Sequence, residues 1–171
     1  MKRSMKNLCW VLLLVVALPV AAFAGMGGGK MLKPGVVAPD FEFTDIVGEK
    51  GSIHAFAPGK PFLLVFLQTA CRSCQREMAY LKELNEQGDD IEVLSVFLDM
   101  RERDFIGHVK GQGLTFRFFW DAEYKIADAY GVSFTPSSFL IDSDRKIANV
   151  YRGWSRKGHT LEGDLKKLTE K

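Results

Sequence analysis

Apolar residues run unbroken from Phe62 to Leu67, and again from Val93 to Leu98 with Ser95 as the one polar interruption. Such runs, bounded by turn residues and rich in β-branched and aromatic side chains, predict central strands covered on both faces. Between them Met78, Leu81 and Leu84 recur every three residues among polar neighbours, which predicts a helix. Upstream, Phe41 and Phe43 alternate with polar residues, so a short edge strand is expected within 37–45, a turn at 47–51 and a return strand at 52–57. Downstream, a helix over 101–110 turns Phe105 and Val109 inward, and 114–120 is extended. Asp121 is the expected N-cap of a helix that runs to Tyr130 and ends on Gly131. Residues 137–142 and 146–152 form a hairpin. Thr160 caps a last helix with Leu161, Leu165 and Leu168 on one face. The resulting order, β-(β)-β-α-β-α-(β)-α-β-β-α, implies an α/β sandwich.

Composition then sets limits. A chain of 171 residues, 47% of them apolar, holds one domain with a real core. The net charge is +2, but the first 24 residues carry Lys2, Arg3 and Lys6 and no acid; without them 20 Lys+Arg face 21 Asp+Glu, a net of −1. That balance argues against a nucleic-acid surface. Residues 1–24 have the layout of a secretory signal: a basic start, an apolar stretch over 8–18, Pro19, and Ala22-Phe23-Ala24 as the cleavage site. A retained membrane anchor is the alternative, since the uncharged run of 17 residues ending at Ala24 is at the short limit for a span. Either way the folded part is expected outside the cytoplasm, in the periplasm or beyond. Residues 25–34, with three consecutive glycines, form a flexible linker, and 35–171 the domain.

The chemistry lies in Cys71-Arg72-Ser73-Cys74, between the first central strand and its helix. Residues i and i+3 on a helix share a face, close enough for their sulfurs to bond. The first cysteine falls at the helix N-terminus, where free N–H groups and the macrodipole favour a thiolate. Arg72 and Arg76 add positive potential. Cys71 is therefore the expected nucleophile and Cys74 the resolving thiol. A structural disulfide and half of a zinc site are the other readings. The first gains little from so short a loop, and the second lacks another Cys-x-x-Cys or a His-x₃₋₅-His. Gln75 stands where haem attachment needs histidine. Cys9 lies in the leader. His54, His108 and His159 have no partner pattern.

At this point the chain resembles a known family, the thioredoxin-like TlpA- and ResA-type extracytoplasmic thiol–disulfide oxidoreductases. The marks occur in order: Ala38-Pro39-Asp40-Phe41 with Asp45-x-x-Gly48; Cys71-x-x-Cys74-x-x-Glu77; the 121–130 helix with Gly131-Val132; and Thr135-Pro136 before Phe139-Leu140-Ile141-Asp142. The resemblance implies a thioredoxin-like fold, a central mixed sheet flanked by helices with an N-terminal β-hairpin extension. It implies a cis Pro136 facing the sulfurs, backbone pairing of Thr135 with an extended substrate, and an influence of Glu77 on thiol protonation. Phe134 is a candidate substrate-facing apolar residue. The expected partners are protein thiols and disulfides and a membrane electron donor of the thiol–disulfide relay type; no cofactor or metal is expected, and the protein is expected to be a monomer. Reduction, for example towards apocytochrome c, is the implied direction. Two departures stand out. Gln68-Thr69-Ala70 replaces the family's usual tryptophan before the first cysteine, and Arg72-Ser73 replaces the usual proline-containing pair. A peroxide reductase of the peroxiredoxin type would need a hydroxyl residue three before its cysteine, where Gln68 stands. A Cu(I) carrier, which soft thiolates suit, would usually have three residues between its cysteines and a ligand histidine.

Overall fold

The computed structural model describes residues 29–86, 91–110, 112–155 and 160–170. The predicted leader, the first part of the linker and His159 lie outside them. Among the described residues, seven strands and four helices follow one another in the expected order: β1 (Glu42–Thr44), β2 (Lys50–Ser52), β3 (Phe62–Leu67), α1 (Arg72–Glu86), β4 (Glu92–Phe97), α2 (Glu102–Lys110), β5 (Arg117–Trp120), α3 (Lys125–Tyr130), β6 (Ser137–Ile141), β7 (Ile147–Arg152) and α4 (Leu161–Thr169). β1 and β2 form a separate antiparallel hairpin, and the main sheet has the order β5-β4-β3-β6-β7. β4 is parallel to β3 and β5, whereas β6 is antiparallel to β3 and β7.

The unbroken apolar run of β3 now has its reason. Phe62, Leu64 and Phe66 face one core with Ile126, Ala127 and Tyr130 of α3 and with Phe43, Ile53 and Phe56. Leu63, Val65 and Leu67 face the other, under Met78, Leu81 and Leu84 of α1, Phe105 and Val109 of α2, and Leu161. All six β3 side chains are fully buried. At about 1.5–3 kcal/mol for each large apolar side chain removed from water, this strand is a main source of stability.

Local boundaries differ from the pattern in four places, each for a physical reason. The return strand of the first hairpin is Lys50–Ser52 rather than 52–57. Asp45 Oδ1 accepts from the N–H groups of Val47 and Glu49, at 3.1 and 2.8 Å, which closes the turn early. Residues after Ser52 then turn back and drop Ile53 and Phe56 into the core. α3 begins at Lys125, after a left-handed Tyr124 (φ 56). Asp121 still satisfies the helix start, since its Oδ2 accepts from Ile126 N–H and Ala127 N–H at 3.0 and 2.9 Å. Thr160 is the N-cap residue of α4, its carbonyl accepting from Asp164 N–H at 2.9 Å, but its hydroxyl accepts no helix N–H and instead donates to Asp164 Oδ2 at 2.6 Å. Finally, packing reaches back into the expected linker. Met31 is buried and Leu32 N–H donates to the Tyr130 carbonyl. Gly131 (φ 67) is required there, because a Cβ would stand 2.6 Å from the Lys30 carbonyl oxygen.

Asp164 anchors α4 on β7. It accepts hydrogen bonds from Asn149, Tyr151, Thr160 and Lys167. Burial pushes its pKa up, but those donors outweigh burial and hold it at about 2. Asp164→Ala is expected to cost about 2 kcal/mol in urea unfolding at pH 7. The folded pKa is depressed, so this contribution is complete above the ordinary Asp range and fades as the pH falls through about 2. A loss that is the same at pH 7 and pH 2 would contradict the assignment.

Candidate active site

The site sits at the end of the sheet where β3 and β4 finish and β6 begins. Cys71 immediately precedes α1, and its carbonyl accepts the first helical bond from Gln75 N–H. Its sulfur takes the place of an N-capping oxygen, accepting from Cys74 N–H at 3.1 Å. Cys71 and Cys74 are joined as a disulfide, with Cα atoms 5.2 Å apart. Ser73 Oγ lies 3.3 Å from Cys71 Sγ, positioned to donate to it. The two sulfurs are unequal in access: Cys71 is half-buried and Cys74 fully buried. Only the first is open to a partner. Arg72 and Arg76 are exposed on the outer face of α1.

The Thr135–Pro136 bond is cis and Pro136 is buried. The Thr135 carbonyl oxygen lies 3.6 Å from Cys71 Sγ. Phe134, which precedes Thr135 in the chain, is 43% exposed. Thus the loop that carries Phe134, Thr135 and Pro136 reaches Cys71 through the Thr135 carbonyl, although about sixty residues of chain separate them. The other aromatics are mostly structural. Phe116, Phe118 and Phe119 are buried, Trp120 Nε1 donates to the Asp99 carbonyl at 2.7 Å, and Trp154 packs on Tyr80. His54 Nε2 meets the Ala38 carbonyl and His108 meets Gln112, both away from the cysteines.

Glu77 lies one turn beyond Cys74 and is 1% exposed. Its Oε1 accepts a short hydrogen bond from Ser138 Oγ. Burial raises its pKa from the usual carboxylate range to about 7, and the Ser138 bond only partly offsets that. A carboxyl poised near neutrality and buried on the same helix, one turn from the buried Cys74, is suited to proton transfer.

Two residues escaped the sequence reading of the site. Gln68 spans the ends of three strands: its Nε2 donates to the Leu98 carbonyl at 3.2 Å, and its Oε1 accepts from Thr135 Oγ1 at 3.1 Å. Ser138 is the partner of Glu77. The signal for Gln68 was its polar side chain directly after a wholly apolar strand. Ser138 had no such signal, because its relation to Glu77 arises from pairing of β6 with β3, which sets Val65 opposite Ser138.

The AhpC/TSA family model matches residues 34–150. The chain belongs to the AhpC/TSA family. It is 38% identical over 137 residues to the thiol-disulfide oxidoreductase ResA of Bacillus thuringiensis (strain Al Hakam), covering 79% of this chain and 78% of the relative. Among solved structures it matches a protein of Chlorobium tepidum assigned as the thiol:disulfide interchange protein DsbE, with a TM-score of 0.72 and 22% identity over 81% of this chain and 99% of that one. It also matches the pneumococcal exposed lipoprotein thioredoxin Etrx1 of Streptococcus pneumoniae, with a TM-score of 0.64 and 28% identity over 76% and 100% of the two chains. The chain is a thioredoxin-like thiol–disulfide oxidoreductase of the ResA type within that family, and it carries the Cys71–Cys74 disulfide at the start of α1.

Proposed function

We propose that this oxidoreductase works outside the cytoplasm and reduces disulfides in proteins, apocytochrome c among the candidate substrates. The observation that carries the mechanism is the unequal access of two bonded sulfurs, the open one at a helix N-terminus beside the Thr135 carbonyl. In the reduced protein, the Cys71 thiolate attacks one sulfur of a substrate disulfide. A mixed disulfide forms and the first substrate thiolate leaves. Cys74 then loses its proton to Glu77 and attacks Cys71 Sγ. The second substrate thiolate leaves and takes up a proton, so the substrate has gained two electrons and Cys71–Cys74 is oxidised. A membrane-bound dithiol donor restores the pair. Thr135 holds the substrate segment by strand-like backbone pairing, and Phe134 covers it.

The leader-like residues 1–24 and the likeness to a ResA protein support this setting. A peroxide reductase is less well supported. Position 68 carries no hydroxyl, and the Gln68 amide is engaged by Leu98 and Thr135. The test is the reduction potential of the pair, from equilibration in dithiothreitol or glutathione buffers with thiol trapping. A value near or below about −220 mV supports the reductant; a value near about −120 mV would instead make the protein an oxidant.

Gln68→Leu keeps the volume and removes both side-chain hydrogen bonds of Gln68, the one it donates to Leu98 and the one it accepts from Thr135. It is expected to raise KM for a protein disulfide about fivefold, the worth of one lost hydrogen bond, with the potential of the pair unchanged. An unchanged KM would remove Gln68 from substrate positioning.

A further inference from the structure

Cys71 lines a cleft of about 700 Å³ that the mechanism above does not use. One wall is Gln68, Thr69, Ala70 and Cys71; the other is Asp99, Met100, Arg101 and Asp104, from the segment that joins β4 to α2. The sheet order explains its place. β3 lies between β4 and β6, so Cys71 at the end of β3 stands between Asp99 on one side and Thr135 on the other. A chain held at Thr135 and bonded to Cys71 would present a neighbouring side chain to this cleft.

The cleft is braced before any partner arrives. Asp99 Oδ1 accepts from the Thr69 hydroxyl at 2.6 Å, and Thr69 N–H bonds the same carboxylate at 3.1 and 3.2 Å. The Asp99 carbonyl accepts from Trp120, and the Leu98 carbonyl accepts from Gln68 and Tyr124. Its charges are not balanced. Arg101 is bound to Asp104 at 2.8 Å, and Arg103 is 3.9 Å from the same carboxylate. Among the described residues the Asp99 carboxylate has no cationic partner, and its hydrogen bonds come from the hydroxyl and N–H of one neutral residue, Thr69. A carboxylate has about four acceptor sites, so capacity remains for a ligand. Above it Met100 is 88% exposed, a flexible thioether that no packing explains. Ala70, also exposed, leaves the rim low.

We infer that this cleft is a specificity pocket for a lysine or arginine side chain next to the reactive cysteine of the protein substrate. The aliphatic stem lies along Met100 and Ala70, and the cationic head reaches Asp99. This rests on the oxidoreductase reading proposed above and narrows its substrates to segments with a basic residue flanking the cysteine.

The test uses the reduced protein and three peptide disulfides, each a symmetric dimer of acetyl-Ala-X-Cys-X-Ala-amide with X as Lys, Ala or Glu. Oxidation of the protein is followed by acid quench and thiol trapping at low ionic strength. The Lys peptide is expected to react about fivefold faster than the Glu peptide, with Ala between, and added salt should narrow the gap. Asp99→Asn, which keeps an acceptor for Thr69, should bring the three rates together, and Asp99→Lys should reverse their order. Equal rates in the unmodified protein, or a preference for Glu, would overturn the pocket while leaving the oxidoreductase reading intact. Oxidation by none of the three peptides would overturn both.

Discussion

Cys74→Ser is expected to arrest the protein as a covalent complex with its substrate. Cys71 keeps its place at the start of α1, where the Cys74 N–H and the helix N-terminus stabilise a thiolate, and it remains the accessible sulfur. Attack on a substrate disulfide therefore still occurs. Resolution does not, because no other sulfur stands one helical turn away. Steady-state turnover should fall by orders of magnitude, while a species with the summed mass of protein and substrate accumulates on non-reducing gels and disappears with dithiothreitol. Cys71→Ser should give neither turnover nor adduct, since the remaining sulfur is wholly buried. An adduct in Cys71→Ser and none in Cys74→Ser would reverse the two roles.

Glu77→Gln is expected to flatten the pH dependence of both stability and thiol chemistry. The folded-state pKa of Glu77, about 7, lies above its ordinary value of 4.5. The folded state therefore binds the proton more tightly than the unfolded chain does. Ionisation of Glu77 costs no stability below about pH 4.5, an increasing amount between there and pH 7, and a constant amount above. The shift corresponds to about 3 kcal/mol at pH 8. Urea unfolding of the wild type and Glu77→Gln at pH 5 and pH 8 should show the variant gaining on the wild type by roughly that much. The kinetic counterpart is loss of the inflection near pH 7 in the rate at which the mixed disulfide resolves. Parallel stability profiles for the two proteins would mean that the carboxyl is not held near neutrality. An unchanged resolution profile would take the proton-transfer role away from Glu77.

Much of this protein was legible along the chain because its signals are local. The apolar run at Phe62–Leu67 suits a strand covered on both faces, and the spacing of Met78, Leu81 and Leu84 suits one buried helix face. Cys71-x-x-Cys74 at their junction carried its own chemistry, since the position of a thiol at a helix start depends on neighbours in sequence alone. Boundaries were less legible where a side chain acts beyond its own turn. Asp45 ends one loop early, and Asp121 caps a helix that begins four residues later, because Tyr124 is tied by its hydroxyl to the Leu98 carbonyl.

What only the tertiary structure decided lies across strands. Ser138 meets Glu77 because β6 runs antiparallel to β3 in one register out of several, and the desolvation that lifts the Glu77 pKa comes from the whole core above the sheet. Gln68 joins Leu98 to Thr135, and Asp99 faces Ala70, because β4, β3 and β6 end side by side. The sequence by itself determined the strands, the helices and the reactive pair, through periodicity and local electrostatics. The company those cysteines keep, an acid brought near neutrality, a braced cis-proline loop and an acidic cleft, depends on strand order and register, which place residues tens of positions apart within hydrogen-bonding distance.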